Sequence, residues 1–256
     1  MTNIEDPDVI LSVRGLEITF KTDQGDRVFL RDVDFDIRRG EVLGVVGESG
    51  SGKSITALSL MGLLSNSGRV TGGEAWFQGQ NLLAMTSDQL DNIRGKHLAM
   101  IFQDALTSLN PVLTIGNQII EAIRAHQDIS KAKATKLATD LLARVGLPNP
   151  KTMLGQYAHT LSGGMRQRVM IAIALASEPS LIIADEATSS LDVTIQAQIM
   201  HLLRELSLER DMSVMLITHD IGLIAQMADR VLVMYAGEIV ENTDVFTMFE
   251  APGHPY

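Results

Sequence analysis

The sequence predicts an α/β fold built on a mostly parallel sheet, with an antiparallel β layer and an inserted helical segment. Three observations support this fold class. Short β-like segments recur between residues 10 and 39, helical periodicity dominates residues 104–160, and helices alternate with strands between residues 165 and 228. Alternation of helices and strands is typical of parallel sheets with right-handed crossover connections.

The composition is that of a globular protein with a substantial core. The chain has 256 residues, 45% of them hydrophobic, which suits one large domain or a core with one inserted subdomain. A net charge of −10 disfavours broad nucleic-acid binding, because no basic surplus is available to neutralise phosphates. Cysteine is absent, which excludes disulfides, thiolate zinc sites and cysteine nucleophiles. The acidic start of the chain and its short apolar runs predict neither a signal peptide nor a membrane span, so we expect a cytosolic chain.

The N-terminal part of the chain is expected to be rich in β-structure. Two alternating segments, 16–20 and 33–37, flank a turn at 23–26 and suggest an antiparallel layer laid against the core. Further along we expect a loop at 65–73, a strand at 74–79, a helix capped by Ser87 and a short strand at 98–102.

The middle of the chain has the apolar spacing of helices. Isoleucines recur every fourth residue from Ile115, and apolar residues do the same from Leu137. Ser130 is placed as a helix cap and Gly146 as a helix stop. The core is then expected to resume with three helices (165–176, 194–209, 221–228), two strands (181–184, 213–218) and a final hairpin over 231–240 that turns at Ala236-Gly237.

The strongest motif, Gly47–Ser54, satisfies the P-loop pattern G-x-x-x-x-G-K-[ST]. An apolar strand at 42–46 precedes it and a helix over 55–64 follows it, as this motif requires. Glycines let several backbone N–H groups converge on one phosphate chain, and the helix N-terminus adds a positive dipole. We therefore predict that the loop binds a nucleotide, with Lys53 at the β/γ-phosphates and Ser54 on Mg²⁺. The residues predicted to bind are Gly47, Glu48, Ser49, Gly50, Ser51, Gly52, Lys53 and Ser54.

A second motif presents two acids after an apolar strand. Asp185 and Glu186 follow Leu181–Ala184, in the pattern called Walker B, and a buried strand ending there brings carboxylates to the phosphates. Asp185 would hold Mg²⁺, directly or through a water, and Glu186 would polarise the attacking water. An acidic pair in this position can also serve only as a helix cap.

A third motif, Leu161–Arg168, places Ser162, Gly163 and Gly164 at the start of an apolar helix. It is a second helix terminus able to bind an anion. One nucleotide cannot occupy both termini if they lie far apart in one subunit. A head-to-tail dimer solves this problem, with each Ser-Gly-Gly turn covering the γ-phosphate held by its partner. The alternative is a helix cap without a ligand.

Two further polar residues follow apolar strands. Gln103 borders the helical segment, where it could touch Mg²⁺ or the attacking water. His219 follows the apolar run that ends at Thr218 and could bind the γ-phosphate and steady Glu186. The catalytic group predicted from these motifs is therefore Glu186, His219, Gln103 and Lys53.

These motifs, in this order, resemble the nucleotide-binding subunit of an ABC transporter over essentially the whole chain. The resemblance implies an ATPase using ATP and Mg²⁺, with a RecA-like P-loop NTPase core and β layer (1–103 and 165–256) and a helical subdomain (104–164). It places Mg²⁺ on Ser54, Gln103 and Asp185, and it implies an ATP-sandwich dimer with a D-loop at Ser190, Leu191 and Asp192. Phe20 is the first candidate for stacking on adenine and Phe29 the second, although Phe20 could equally be a core residue.

The segments Phe102–Pro111 and Pro252–Tyr256, with GESGSGKS and MRQR, resemble the importer family for oligopeptides, dipeptides and nickel. In that family a further C-terminal region follows the His-Pro-Tyr stretch, so the sequence, which stops at Tyr256, is expected to be either a truncated chain or a member that lacks this region. Ala105, Ala158 and Ala187 stand where the family pattern has proline. The resemblance implies transmembrane permease subunits, a second ATP-binding subunit (a copy or a paralogue) and, indirectly, an extracytoplasmic solute-binding protein, with no nucleic-acid partner. It also implies a peripheral position on the cytoplasmic face of the inner membrane.

Two other functions are compatible with parts of the sequence. A soluble ABC-type ATPase acting on nucleic acid or the ribosome would share the motifs, but the acidic charge disfavours it. A P-loop kinase for small molecules would explain residues 47–54 and leave residues 161–168 without a purpose.

Overall fold

The computed structural model describes residues 6–188 and 191–254. Ser190 of the predicted D-loop, together with Pro255 and Tyr256 of the C-terminal segment, lies outside the described residues. The chain forms two sheets. They share one hydrophobic core, to which Ala57 and Leu60 of the helix after residue 52 also contribute, and a second core lies between the larger sheet and other helices.

The larger sheet has six strands and carries the nucleotide motifs. Its members are β3 (Val42–Gly47), β6 (Leu98–Ile101), β7 (Leu181–Asp185), β8 (Ser213–Ile217), β9 (Arg230–Tyr235) and β10 (Glu238–Asp244), in the order β10-β9-β3-β8-β7-β6. All neighbouring pairs are parallel except the β9–β10 hairpin. The carboxyl ends of β3, β6, β7 and β8 therefore meet at one edge, where open α/β sheets bind their ligands.

Alternate residues of β3 face opposite sides of this sheet, as the two-residue period of a strand requires. Val42 and Val46 pack with the core on the helical side, and Leu43 and Val45 pack with the core under the smaller sheet. Burial on both faces explains why this strand is a continuous apolar run.

The smaller sheet is antiparallel, in the order β2-β1-β4-β5: β1 (Val9–Thr22), β2 (Gly25–Arg38), β4 (Gly68–Phe77) and β5 (Gln80–Asn81). The predicted layer and its first turn are confirmed. The loop expected at 65–73 is wrong beyond Ser67, because β4 begins at Gly68 and pairs with β1. Gly68 is required there by close packing, since a Cβ atom would lie 2.7 Å from the ring of Phe20.

Two helices of the N-terminal half differ from the prediction. α1 (Lys53–Leu60) ends four residues before the predicted stop, and the left-handed Gly62 follows it. α2 (Ser87–Asp91) is capped by Thr86 instead of Ser87. The hydroxyl of Thr86 accepts from the Gln89 N–H while the Gln89 side chain accepts from the Thr86 N–H, which is a capping box.

The helical segment lies between β6 and α7. It contains α3 (Ala105–Ser108), α4 (Ile115–His126), α5 (Lys131–Arg144) and α6 (Pro150–Met153). Ile115, Ile119 and Ile123 are fully buried, and Ser130 caps α5 as predicted. The buried face of α5 is formed by Ala134, Ala138 and Leu142, whereas Leu137 and Leu141 are only partly buried. The remaining helices are α7 (Gly163–Ala174), α8 (Val193–Arg210), α9 (Ile221–Met227) and α10 (Val245–Glu250).

Candidate functional site

The P-loop joins β3 to α1 through a backbone that glycine alone accommodates. Gly47, Gly50 and Gly52 have φ angles of 151°, 82° and 110°. A Cβ atom on Gly47 would collide with the Met234 carbonyl, and one on Gly52 would collide with the Leu30 side chain. The chain can therefore pass between β2 and β9 only with glycine at positions 47 and 52. Gly52 is also the cap of α1 and has no side chain to cover the first N–H groups of the helix, which leaves them available to an anion.

The side chain of Lys53 folds over this loop. Its Nζ donates to the carbonyls of Gly47 and Glu48, each at 2.8 Å, and the residue is buried. Burial lowers the pKa of Lys53, while Glu186 and Asp185 nearby act in the opposite direction. Ser51 is buried beneath the loop, whereas Glu48, Ser49 and Gly50 are exposed at its tip. Lys53 thus lies within the loop that would surround a phosphate chain.

Ser54, at the start of α1, and Asp185, at the carboxyl end of β7, form an oxygen pair. The Ser54 hydroxyl donates to Asp185 Oδ1 at 3.0 Å. Burial raises the pKa of Asp185, with Glu186 adding to the effect and the Ser54 hydroxyl and Lys53 opposing it. A buried carboxylate beside a hydroxyl matches the hard oxygen ligands that Mg²⁺ prefers. The donor set therefore fits a magnesium ion.

Glu186 lies at the centre of a polar network. Its Oε2 accepts from Gln103 Nε2 at 2.7 Å, and its Oε1 lies 3.4 Å from His219 Nδ1. Its backbone has a φ of 47°, and its N–H donates to the Ile217 carbonyl at 2.9 Å. A non-glycine residue in this left-handed region is uncommon and often marks a functional site. A cavity of about 140 Å³ borders Glu186 and His219 and has room for several waters.

Gln167 belongs to the same network but has no role in the sequence analysis. It is fully buried on α7, and its Nε2 donates to the Ala187 carbonyl at 2.6 Å and to the Phe102 carbonyl at 3.4 Å. A polar residue two positions before the apolar run Val169–Ala176 was the only signal available in the sequence, because its partners are distant in the chain.

Other predicted site residues lie at the starts of helices α7 and α8. Ser162 caps α7 by accepting from the Met165 N–H at 3.3 Å, and it is exposed together with Gly163, while Gly164 is partly buried. Asp192 caps α8 and is exposed; its charge raises the pKa of Arg168 on α7, although burial has the larger effect and lowers that pKa.

The two candidates for adenine stacking form an aromatic pair. Phe20 contacts Phe29 edge to face with ring centroids 4.9 Å apart, and both rings are partly exposed. Leu30, which follows Phe29, contacts the P-loop at Gly52. The pair thus lies on the β layer close to the loop.

Within residues 6–188 and 191–254, no helix is long and apolar enough to cross a membrane. The same ranges hold no group of three or more histidine, aspartate or glutamate side chains arranged to bind a metal.

A P-loop, a buried carboxylate beside its serine and a glutamate held by a glutamine and a histidine define a nucleotide-hydrolysing P-loop ATPase. Comparison with known proteins agrees with this class. The family described as ABC transporter matches residues 30–189. The oligopeptide transport ATP-binding protein OppD of Bacillus subtilis is 49% identical over 96% of this chain and 69% of its own length. The dipeptide transport ATP-binding protein DppD of Lactococcus lactis is 48% identical over 96% of this chain and 71% of its own length.

Solved structures give the same result. A dimeric ATP-binding cassette in a post-hydrolysis state with ADP and Pi superposes with a TM-score of 0.85, at 28% identity, over 92% of this chain and 98% of that one. The chain belongs to the ABC transporter family and is one of its ATP-hydrolysing cassettes. The predictions of fold, family and ATPase activity are confirmed.

Proposed function

We propose that this chain is the ATPase subunit of an importer for peptides or a related small solute or metal. The peptide class is supported by the relatives that transport oligopeptides and dipeptides. The observation that carries the catalytic part of the proposal is the network of Gln103, Glu186 and His219 beside Ser54 and Asp185. The alternative is an ATPase that acts on nucleic acid or the ribosome. The relatives named above do not support it, and the acidic charge of the chain disfavours it.

The binding step follows from the P-loop. Lys53 would exchange the carbonyls of Gly47 and Glu48 for β/γ-phosphate oxygens, and the N–H groups of residues 48–54 would bind the same phosphates. Ser54, Asp185 and Gln103 would hold Mg²⁺, which supplies charge neutralisation to the β- and γ-phosphates when bound. Phe20, or Phe29 in its place, would stack on adenine.

The chemical step would use Glu186 as the base. One oxygen of Glu186 accepts a hydrogen bond from Gln103 and the other faces His219, so the carboxylate is oriented from two sides. Glu186 would accept a proton from the water that attacks the γ-phosphorus, the bond from that phosphorus to the bridging oxygen would break, and ADP would leave. His219 would hold both the carboxylate and a phosphate oxygen. Positioning and electrostatics account for most of the catalysis in phosphoryl transfer.

The complete site would need a second cassette. Ser162 and Gly163 are exposed at the start of α7, and Asp192 is exposed at the start of α8, as residues of an open interface would be. Cassettes of similar fold form dimers. We propose a head-to-tail dimer in which the partner's Ser-Gly-Gly turn covers the γ-phosphate, formed by two copies or by this chain and a paralogue.

The remaining partners follow from the same proposal. Residues 1–103 and 165–256 would form the nucleotide-binding core, and residues 104–164 a helical subdomain that transmits closure and opening of the dimer to transmembrane permease subunits. The assembly would lie on the cytoplasmic face of the inner membrane and receive cargo from an extracytoplasmic binding protein.

Co-purification from membranes tests the proposal. The tagged native protein would be extracted in mild detergent and its partners identified, and peptide uptake would be measured with wild type and with Glu186→Gln. We expect polytopic membrane proteins to co-purify and uptake to require Glu186. Recovery of ribosomal partners alone, with ATPase activity intact, would overturn the importer assignment.

A further inference from the structure

The buried amide of Gln167 connects three segments that the ATPase site depends on. It projects from the first turns of α7, the helix that begins with the Ser-Gly-Gly turn. Its Nε2 donates to the carbonyls of Ala187 and Phe102. Ala187 directly follows Glu186, and Phe102 directly precedes Gln103. One side chain therefore holds both the backbone next to Gln103 and the backbone next to Glu186, the two residues that are joined by a side-chain hydrogen bond.

The orientation of this amide follows from chemistry. Both neighbouring groups are carbonyl oxygens, which accept hydrogen bonds, so the NH₂ group must face them; the opposite orientation would place three acceptors together. As a consequence, Gln167 Oε1 is buried without a hydrogen-bond partner among the described residues. The fold thus tolerates an unpaired buried acceptor in order to supply two donors to these carbonyls.

The bond to Ala187 acts on the conformation of Glu186. Glu186 occupies the left-handed region with a φ of 47°, and its N–H is held by the Ile217 carbonyl. Gln167 holds the carbonyl of the following residue, Ala187, at 2.6 Å. The backbone of Glu186 is thereby fixed on both sides, and the direction of its carboxylate is fixed with it.

We propose that Gln167 is a positioning residue for ATP hydrolysis, holding Glu186 and Gln103 in register from the helix that begins at Ser162. The inference rests on the proposed role of Glu186 as the base. It also gives a physical route from the Ser-Gly-Gly turn to the base, because movement of α7 would move the donor to both carbonyls at once.

Replacement of the amide tests the proposal. Gln167→Met keeps the volume and removes both donors, and Gln167→Asn retracts the amide by one methylene. For the purified full-length chain with MgATP we expect Gln167→Met to lower kcat by about 10–100-fold, the effect of a misplaced catalytic group. KM should change by less than about 3-fold, because the P-loop contacts are untouched. A role in packing alone would lower thermal stability and leave kcat per nucleotide-binding site unchanged.

Gln118 provides a matched control. It lies on α4, and its Nε2 donates to two backbone carbonyls, those of Asn110 at 3.0 Å and Leu113 at 3.1 Å. Gln118→Met should therefore remove two comparable donors, together with the acceptor of the Asn110 N–H, without lowering kcat. An equal loss of kcat in Gln118→Met would overturn the proposal, and so would wild-type kcat in Gln167→Met. Should Gln167→Met fail to fold, Gln167→Asn decides: a kcat at the wild-type level overturns the proposal, and a loss of about 10-fold supports it.

A double variant separates this inference from the proposal it rests on. If Gln167 acts through Glu186, adding Gln167→Met to Glu186→Gln should lower turnover no further. Additive losses would mean that Gln167 acts by another route and would overturn the inference. Wild-type turnover in Glu186→Gln itself would overturn the catalytic role of Glu186 and the inference together, whereas a loss confined to Glu186→Gln would overturn the inference alone.

Discussion

Gln103 donates its side-chain amide to the carboxylate of Glu186 over 2.7 Å, although 83 residues separate them. The register of the parallel sheet accounts for this contact. Ile101 of β6 pairs with Ala184 of β7, so Gln103 and Glu186, each two positions beyond this pair, emerge side by side at the sheet edge. His219 comes from the next strand: Asp185 pairs with Ile217 of β8, so Glu186 leaves the sheet level with Thr218, one residue before His219. Sheet register therefore brings Gln103, Glu186 and His219 together.

Replacement of Glu186 by glutamine should trap the ATP-bound state. The variant keeps the shape and a hydrogen-bonding group but cannot accept the proton of the attacking water. We expect turnover to fall by about 10²–10⁴-fold, the usual contribution of a general base. Steady-state hydrolysis and size-exclusion chromatography with ATP would measure the loss and the stabilised dimer.

Glu205→Gln provides the comparison for that variant, since Glu205 is an exposed glutamate on α8 paired with His201. Its turnover should equal that of wild type. Hydrolysis at the wild-type rate in Glu186→Gln would remove Glu186 from the role of base.

Alanine at the P-loop glycines should have graded effects on stability. At Gly50 the left-handed backbone alone is strained, and nothing lies within 4 Å of an added Cβ, so we expect a cost of about 1–2 kcal/mol. At Gly47 the new Cβ also meets the Met234 carbonyl, which is backbone and cannot move aside. Gly47→Ala should therefore cost more than Gly50→Ala in urea unfolding and weaken ATP binding as well. Equal costs would show that the loop relaxes around the added methyl.

Parallel-sheet motifs were predictable from the sequence because their chemistry is local. The apolar run 42–46 and the loop Gly47–Ser54 specify strand, turn and helix by themselves, and the same holds for Leu181–Glu186. The roles assigned to these residues stay predictions, although the structure brings Ser54, Asp185, Glu186, Gln103 and His219 together.

Features that depend on distant partners were missed. β4 begins in a glycine-rich stretch whose composition predicts a loop, and only pairing with β1 and the ring of Phe20 makes it a strand. The cap at Thr86 is a different case, because its capping box with Gln89 is a local T-x-x-Q pattern that the prediction of Ser87 overlooked. The function of Gln167 depends on carbonyls 65 and 20 residues away, which no local pattern reveals.

Asp185→Asn should stabilise the nucleotide-free protein in EDTA at neutral pH. Burial raises the pKa of Asp185 above its ordinary value of 3.8. The stability that this carboxyl contributes is therefore complete below pH 3.8 and is lost as the pH rises through the raised value. The asparagine side chain stays neutral and avoids this loss while still accepting from Ser54.

The advantage of Asp185→Asn should accordingly grow from acidic to neutral pH in urea unfolding. A gain of about 1 kcal/mol would appear as a rise in Tm of about 2–4 °C for a chain of this size. MgATP hydrolysis by the same variant should fall sharply, because the predicted magnesium ligand loses its charge. A stability difference that does not vary with pH would contradict the desolvation argument.

Arg204→Ala should destabilise the fold without directly affecting the chemistry. Arg204 on α8 donates to both carboxylate oxygens of Asp229 at 2.9 and 2.8 Å, and Asp229 also accepts from the N–H of Val42, the first residue of β3. Loss of this two-point contact should cost about 1–2 kcal/mol in urea unfolding, because bidentate charged hydrogen bonds exceed ordinary surface pairs. Arg31→Ala is the control, since Arg31 and Glu238 are exposed and 3.9 Å apart, and its cost should stay below about 0.5 kcal/mol. Equal effects in the two variants would show that the Asp229 contact contributes no more than a surface ion pair, and that the start of β3 is held by the sheet alone.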